Sequence, residues 1–406
     1  MARVERDRER ISRIGKALEV HGLDALVCTL PSNVLLLSGY WPVIGNAIAI
    51  ATREGAIAVI APEDERHLAS NGWADVVRTF QGGSLDTLRS TMQAVLDPLT
   101  GLEKVLGFRS GTKVGFEGGA SFDPSSYAAT FIYGAGIEAL LGTAFPFVAL
   151  VDATECLARL HSVLTPRELD LIRRACDIAR AAFLATSSGI HAGMREFEIA
   201  ARLRSKVMTD APEHERCDGF AYCMSGPNSA QAYAAFQQSR SRAIVTGDFV
   251  LLHCNSYYGG FWTDITRTFT MGQPDAEKEA IAGAVLEASR KAVAAVRPGM
   301  KASVVDEAAR GILDSRGYAK AFKHATGHGV GFAAINHNAL PRIHPLSEEI
   351  LEVGMVFNIE PAVYIPGVGG MRHCNMVAVT EDGAELLTAF QGETEDLILN
   401  SPCHRI

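Results

Sequence analysis

Cysteine pairing motifs are missing from this chain. Its eight cysteines, Cys28, Cys156, Cys176, Cys217, Cys223, Cys254, Cys374 and Cys403, include no Cys-x-x-Cys pair. Thiols scattered this widely exclude a disulfide framework and suit a reducing compartment. A surplus of positive charge is also missing. With 38 Lys and Arg against 46 Asp and Glu, the formal net charge is −8. That argues against a nucleic-acid or anionic-membrane partner. The most apolar long stretch, Ile132 to Val151, is interrupted by Glu138, Pro146 and three glycines. It reads as buried strand and loop rather than a membrane span. The highly charged start, Met1-Ala-Arg-Val-Glu-Arg-Asp-Arg-Glu-Arg, has no apolar core. The expectation is no secretory signal and a cytoplasmic protein. No low-complexity segment and no short repeat is visible.

What is present is a soluble-type composition over 406 residues, 48% hydrophobic and 21% charged, enough for two or three domains. Ile11, Ile14, Ala17 and Leu18 form a helical stripe between Arg10 and His21, ended by Gly22. Asp24-Ala-Leu-Val-Cys-Thr reads as a buried strand. The runs Ala47–Ala51 and Ala56–Ala61, joined by Thr52-Arg-Glu-Gly, read as a hairpin, and Leu85–Leu96 reads as a helix. Together they predict a self-contained α/β domain. Thr165-Pro-Arg-Glu then carries a helix-start signature. Further helices are expected at Arg195–Val207 and Asp275–Val296. Strand pairs are expected at Phe249–Asn255 with Phe261–Thr270, and at Met355–Ile365 with Met371–Thr380. The fold class is therefore α+β, with an N-terminal α/β domain over 1–158 and a C-terminal domain over 159–406.

The two hairpins hold the residues that point to chemistry. If the first turn centres between Tyr258 and Gly259, His253 lies opposite Asp264. Directly paired side chains sit ~5 Å apart at Cβ, close enough to share one ion or substrate. In the second hairpin, a loop centred near Gly367 puts Glu360 opposite Cys374. Glu360 sits in the apolar strand Phe357-Asn-Ile-Glu-Pro, where a carboxylate needs a metal, a cation or a proton. Between the hairpins runs His324-Ala-Thr-Gly-His328-Gly-Val-Gly. Its glycines let the backbone approach a neighbour closely and leave the His328 imidazole free.

These segments resemble the pita-bread superfamily of methionine aminopeptidase, aminopeptidase P, prolidase and creatinase. The matching motifs are Gly247-Asp-Phe-Val-Leu-Leu, Asp264-Ile-Thr-Arg-Thr-Phe, Gly327-His-Gly-Val-Gly, Gly354-Met-Val-Phe-Asn-Ile-Glu-Pro and Gly369-Gly-Met-Arg. Gly22-Leu-Asp-Ala-Leu-Val and Ser32-Asn-Val-Leu-Leu-Leu-Ser-Gly-Tyr are similar to the first domain of the two-domain creatinase, prolidase and aminopeptidase P branch. The resemblance implies a creatinase-like α/β domain followed by a curved antiparallel sheet flanked by helices.

It also implies a ligand set. The superfamily holds two metal ions with Asp, Asp, His, Glu and Glu. The corresponding positions here are His253, Asp264, His328, Glu360 and Cys374, so the first Asp and last Glu are replaced. A neutral imidazole and a thiol do not restore two hard carboxylates. The expected cofactor is one divalent metal ion (Zn, Fe or Mn) or none, with Cys374 binding as thiolate. Tyr233 stands where the superfamily has a substrate-side histidine, and His337 is matched to a second one. Glu360, His328 and His337 are the expected catalytic residues. Tyr233, Arg372, Trp262 and Tyr257 are the expected substrate contacts.

The implied activity is hydrolysis of a C–N bond in a small amide or related substrate, with poor action on Xaa-Pro dipeptides. An Xaa-Pro dipeptidase or aminopeptidase with a nonstandard metal site, and an inactive ligand-binding pseudoenzyme, are the alternatives. Glu360→Gln is expected to abolish turnover and leave the fold intact. The partners implied are a small-molecule or short-peptide substrate and a second copy of the chain in a homodimer.

Overall fold

The computed structural model describes residues 5–43, 46–119, 134–209, 216–233, 238–335 and 340–399. The chain divides into two compact units, Met1–Thr165 and Pro166–Ile406.

In the first unit, β1 (Ala25–Cys28), β2 (Ile48–Thr52), β3 (Ile57–Pro62), β4 (Val76–Phe80), β5 (Lys113–Phe116) and β6 (Ala149–Asp152) form one sheet in the order β4-β3-β2-β1-β5-β6. β1, β2 and β3 pair antiparallel, and the other neighbours are parallel. The Thr52-Arg-Glu-Gly turn sets the β2–β3 register, with Ala51 facing Ile57. β1 is buried along its whole length, which is why it reads as a continuous apolar run. The helix Arg8–Val20 begins at Asp7, whose carboxylate accepts the Arg10 N–H, and buries Ile14, Ala17 and Leu18.

Two sequence expectations need correction here. The expected helix Leu85–Leu96 starts later and spans Thr91–Leu99, because Ser90 and Gln93 form a capping box. Within Ile132–Val151, the described residues hold a helix, Ala135–Ala144, and only then the short strand β6. Ile137, Leu140 and Leu141 recur at helical spacing and are buried, so period rather than apolarity decided the structure.

The second unit carries helices Pro166–Ser187 and Glu196–Thr209, which pack on each other, and Ala276–Ala295 and Ala302–Ser315, which form a second pair. Its strands are β7 (Cys217–Ser225), β8 (Phe249–Tyr258), β9 (Phe261–Trp262), β10 (Ile265–Met271), β11 (Val356–Ile359), β12 (Ala362–Ile365), β13 (Gly369–Arg372), β14 (Asn375–Thr380), β15 (Gly383–Leu386) and β16 (Ile398–Leu399). β7, β8, β10 and β16 form one sheet, with β9 on β8. β11, β14 and β15 form a second, and β12 and β13 a third. An isolated bridge between Thr266 and Cys374 joins the first sheet to the strands that follow β13.

The first hairpin is offset from its expected register. Tyr258 faces Phe261, so the turn centres between Gly259 and Gly260. Both glycines have positive φ, 58° and 90°, as a two-residue hairpin turn requires. His253 therefore faces Thr266, not Asp264. The offset moves each partner by two positions and so keeps the face. Asp264 becomes the diagonal neighbour of His253 on the same side of the sheet.

Candidate active site

A single row of side chains crosses the second unit. Tyr222 on β7 pairs with His253 on β8, His253 with Thr266 on β10, and Thr266 bridges Cys374. Ile359 faces Asn375 and Ala362 faces Arg372, so the second hairpin places Glu360 opposite Cys374, as expected. Successive residues of a strand alternate faces. Asp264, Asn358 and Arg372, each two positions from a member of this row, therefore share its face.

His328 is brought to the row by the glycine-rich run. A Cβ on Gly327 would lie 1.9 Å from the Asn358 carbonyl, so only glycine permits this approach to β11. The Asn358 Oδ1 accepts the His328 backbone N–H at 2.7 Å, and the Glu360 N–H donates to the Thr326 carbonyl at 2.7 Å. Asp306, buried in helix Ala302–Ser315, accepts the Thr326 hydroxyl and backbone N–H and pairs with Arg310. The segment Thr326–His328 is thus tied on both sides.

The functional atoms converge. Ligand atoms of Asp264, Glu360 and Cys374 all lie within 4.8 Å of one another. The His328 Nδ1 bonds the Gly329 carbonyl at 3.0 Å, which assigns it the proton. The other nitrogen, Nε2, then faces Asp264 at 3.5 Å and Glu360 at 3.9 Å. The Asn358 amide also reaches this nitrogen, at 3.1 Å, and the Cys374 Sγ, at 3.6 Å.

His253 is held differently. Its Nε2 contacts the Asn255 Oδ1 at 3.0 Å and its Nδ1 contacts the Thr266 hydroxyl at 2.8 Å. The Arg372 Nη2 lies 3.3 Å from the same Nδ1. With Nε2 donating to Asn255, the one lone pair of a neutral ring is already taken by Thr266 and a permanent cation.

The electrostatics follow from burial and these neighbours. Burial alone raises Asp264, but His253, His328 and Arg372 together hold its carboxyl below the usual range. Burial pushes Glu360 up to about 7, reinforced by Asp264 and opposed by Arg372 and His328. Burial lowers His328, yet Asp264 and Glu360 outweigh it and lift the imidazole to about 8. Burial takes His253 down to about 4 and keeps it neutral. Burial, Asp264 and Glu360 push the Cys374 thiol well up.

Of the remaining sequence-selected residues, Arg372 stays in contact with the row. Arg372 is buried, donates to the Thr266 and Tyr222 hydroxyls, and lies 3.9 Å from Glu360. Tyr257 and Trp262 pack on each other at 4.6 Å in the first hairpin. Tyr233 is 40% exposed, with its ring 5.5 Å from that of Tyr364. His337 lies outside the described residues.

Sequence reasoning missed several participants. Asn358 and Tyr364 were findable by strand period, two before and four after Glu360. Tyr222, which stacks on His253 at 4.5 Å, left no local signal because β7 is far from β8 in sequence. His324 was visible in the glycine-rich run, but its contact with the Tyr364 hydroxyl at 3.1 Å was not.

A Creatinase/Prolidase N-terminal domain matches residues 10–163, and Metallopeptidase family M24 matches residues 170–381. The two units thus define a two-domain enzyme of the creatinase and prolidase type, with a pita-bread second domain. The chain belongs to metallopeptidase family M24 and is a hydrolase of C–N bonds. It is 30% identical over 386 residues to the Xaa-Pro dipeptidase of Pyrococcus furiosus, covering 95% of this chain and 99% of that protein. It is 35% identical over 240 residues to a probable dipeptidase, PepE, of Mycobacterium tuberculosis, covering 58% and 60% of the two chains. Among solved structures, the prolidase of Pyrococcus horikoshii superposes with a TM-score of 0.76 at 26% identity, over 95% of this chain and 100% of that one. Recombinant prolidase from Thermococcus sibiricus gives 0.77 at 26% identity, over 97% and 99%.

Proposed function

We propose that this chain hydrolyses the amide bond of short peptides at a centre built for one divalent ion. What carries the reading is the convergence of Asp264, Glu360 and Cys374 within 4.8 Å, with the His328 Nε2 beside both carboxylates. Two carboxylates, an imidazole and a thiolate are a coherent donor set for a single Zn²⁺ or Fe²⁺, and Mn²⁺ remains the harder alternative. A second ion on the His253 side does not fit, because Arg372 and Thr266 occupy the His253 lone pair. A bound ion would polarise the scissile carbonyl and lower the pKa of its water.

This chain's own residues supply the rest. With no ion bound, Glu360, raised to about 7, is tuned to take a proton from an attacking water near neutral pH. The amine released as the C–N bond breaks needs that proton returned. His328 gives it if no ion is held, and His337 is assigned the role if His328 is a ligand. The metal-free reading has an observation of its own. Asp264 with His328 and Glu360 with Arg372 form two carboxylate–cation pairs within 4 Å, which balance charge without an ion.

The full-length likeness to a protein named Xaa-Pro dipeptidase supports the alternative reading and puts Xaa-Pro dipeptides first in the substrate panel. Tyr233 and the altered donor set support a lower rate on them. Among the described residues no helix is long and apolar enough to cross a membrane. The reading includes a cytoplasmic homodimer with neither nucleic acid nor membrane as partner, which light scattering and fractionation check.

The test is elemental analysis of purified protein. It goes with a panel of Xaa-Pro dipeptides, other dipeptides and non-peptide amides, assayed with and without Zn²⁺ and Mn²⁺. One equivalent of metal and dipeptide turnover support the proposal. Two equivalents, both needed for activity, overturn the single-ion centre. Inactivity on every peptide overturns the substrate class.

A further inference from the structure

The first unit carries a cleft of about 480 Å³ in which every ionisable lining side chain among the described residues is basic. One wall is the helix Arg8–Val20. Arg13, Lys16, Ala17, Val20 and His21 recur at helical spacing and share one face. The other wall is the end of the helix Thr154–Ser162 and the residue after it, through Arg159, Leu160 and Val163. All of these residues lie in the first unit.

The two walls are pinned together. Arg10 is fully buried, and its guanidinium donates to the Leu160 and Val163 carbonyls at 2.8 and 3.2 Å. Arg13 donates to the Val163 and Leu164 carbonyls at 2.8 and 3.1 Å and pairs with Glu9. These two arginines are spent on the shape of the cleft, which is therefore preformed. Lys16 is not spent. It is exposed and makes no hydrogen bond or ion pair with the described residues. One turn along the helix, Val20 is 81% exposed, an apolar side chain at the edge of a basic cleft.

On a chain of net charge −8, such a cleft is a local reversal of sign. Its volume falls in the range of small-molecule sites, ~300–1,000 Å³. Charge and apolar surface stand side by side in it, so the complementary ligand carries both. From Arg13 to Val20 the helix spans about 10 Å, the length of a medium acyl chain.

We propose that this cleft binds a small anionic amphiphile of the medium-chain carboxylate class. Lys16 and Arg159 meet the carboxylate, and the acyl chain lies over Ala17, Val20 and Leu160. The proposal goes beyond the hydrolase reading and does not depend on it.

The experiment is calorimetry on the full-length protein with octanoate, and with octanol and octyltrimethylammonium as matched probes. Octanoate is expected to bind at least ~10-fold more tightly than either. Going from hexanoate to octanoate should tighten binding by roughly 10-fold, as two buried CH₂ groups require. Lys16→Glu should weaken octanoate by about 10-fold at an unchanged thermal midpoint, and Lys16→Arg should keep it. Equal binding of octanol and octanoate overturns the proposal, because the charge is then not read. Unchanged octanoate binding in Lys16→Glu overturns it as well. Vesicles of phosphatidylglycerol that bind when octanoate does not would assign the cleft to a membrane surface and overturn the small-ligand reading. A dimer that dissociates in Lys16→Glu, seen by light scattering, would give this face to a second copy of the chain, with the same result.

Discussion

Glu360→Gln tests both the chemistry and the electrostatics of the site, and the structure changes what should be expected of its stability. The Arg372 guanidinium lies 3.9 Å from the Glu360 carboxylate. At an effective dielectric of ~20 such a pair attracts by roughly 4 kcal/mol. On that ground alone, removing the charge should destabilise the fold. Burial and the nearby Asp264 oppose it, however, and they win: the Glu360 carboxyl rises from 4.5 to about 7.

The sign follows from proton binding. Between 4.5 and about 7 the folded state holds a proton on Glu360 that the unfolded chain releases. Stability therefore falls as pH rises through this window, by about 3 kcal/mol in all, and stays lowered above it. Glutamine carries no such liability. In EDTA, Glu360→Gln should match wild type near pH 4.5 and exceed it by about 3 kcal/mol at pH 8.5. Urea denaturation at the two pH values reads this directly. Turnover should be abolished at both, so the variant trades activity for stability. A glutamine variant less stable than wild type at pH 8.5 would refute the reasoning, since it would mean that the Arg372 pair outweighs burial. A divalent ion that raises wild-type stability and leaves the variant unmoved would place Glu360 among the ligands.

Other expectations concern separate parts of the chain. Cobalt-loaded protein should bind one equivalent and show a thiolate-to-metal charge-transfer band that Cys374→Ser abolishes; a band that survives would remove Cys374 from the ligand set. Arg267 is fully buried, and its guanidinium donates to the carbonyls of Phe390, Thr266, Cys374 and Thr388 and to the Asn375 Oδ1. A lysine ammonium has three donors for these five acceptors, so Arg267→Lys should lower stability by about 2–6 kcal/mol in urea unfolding. In the first unit, burial and Arg10 depress His161 to about 3. The unfolded chain then takes up a proton near pH 6.5 that the folded state refuses, so stability should fall by about 1.4 kcal/mol per pH unit below 6.5. His161→Gln should flatten that slope in acid titrations of the thermal midpoint.

The sequence by itself determined the class of fold and most of the side chains that share the row. Period-2 apolar strands, paired glycine turns and the glycine-flanked His328 are local devices, and local chemistry is enough to read them. The second hairpin was legible to the residue, because no bulge disturbs the register from Ile359 and Asn375 to Ala362 and Arg372. The first was legible only to the face: the expected turn places Tyr258 and Gly259 at its centre, whereas the observed one uses Gly259 and Gly260, both at the positive φ that glycine adopts without strain. What only the tertiary structure decided is how the charges meet. Arg372 reads as an anion-binding candidate in sequence. In the fold it is enclosed between Tyr222 on β7, Thr266 on β10 and Glu360 in the link between β11 and β12. His253 reads as a metal ligand, yet its lone pair is taken by neighbours on other strands. A side chain's role depends on the groups that share its burial, and those groups are set by long-range strand pairing, which no short window of sequence contains.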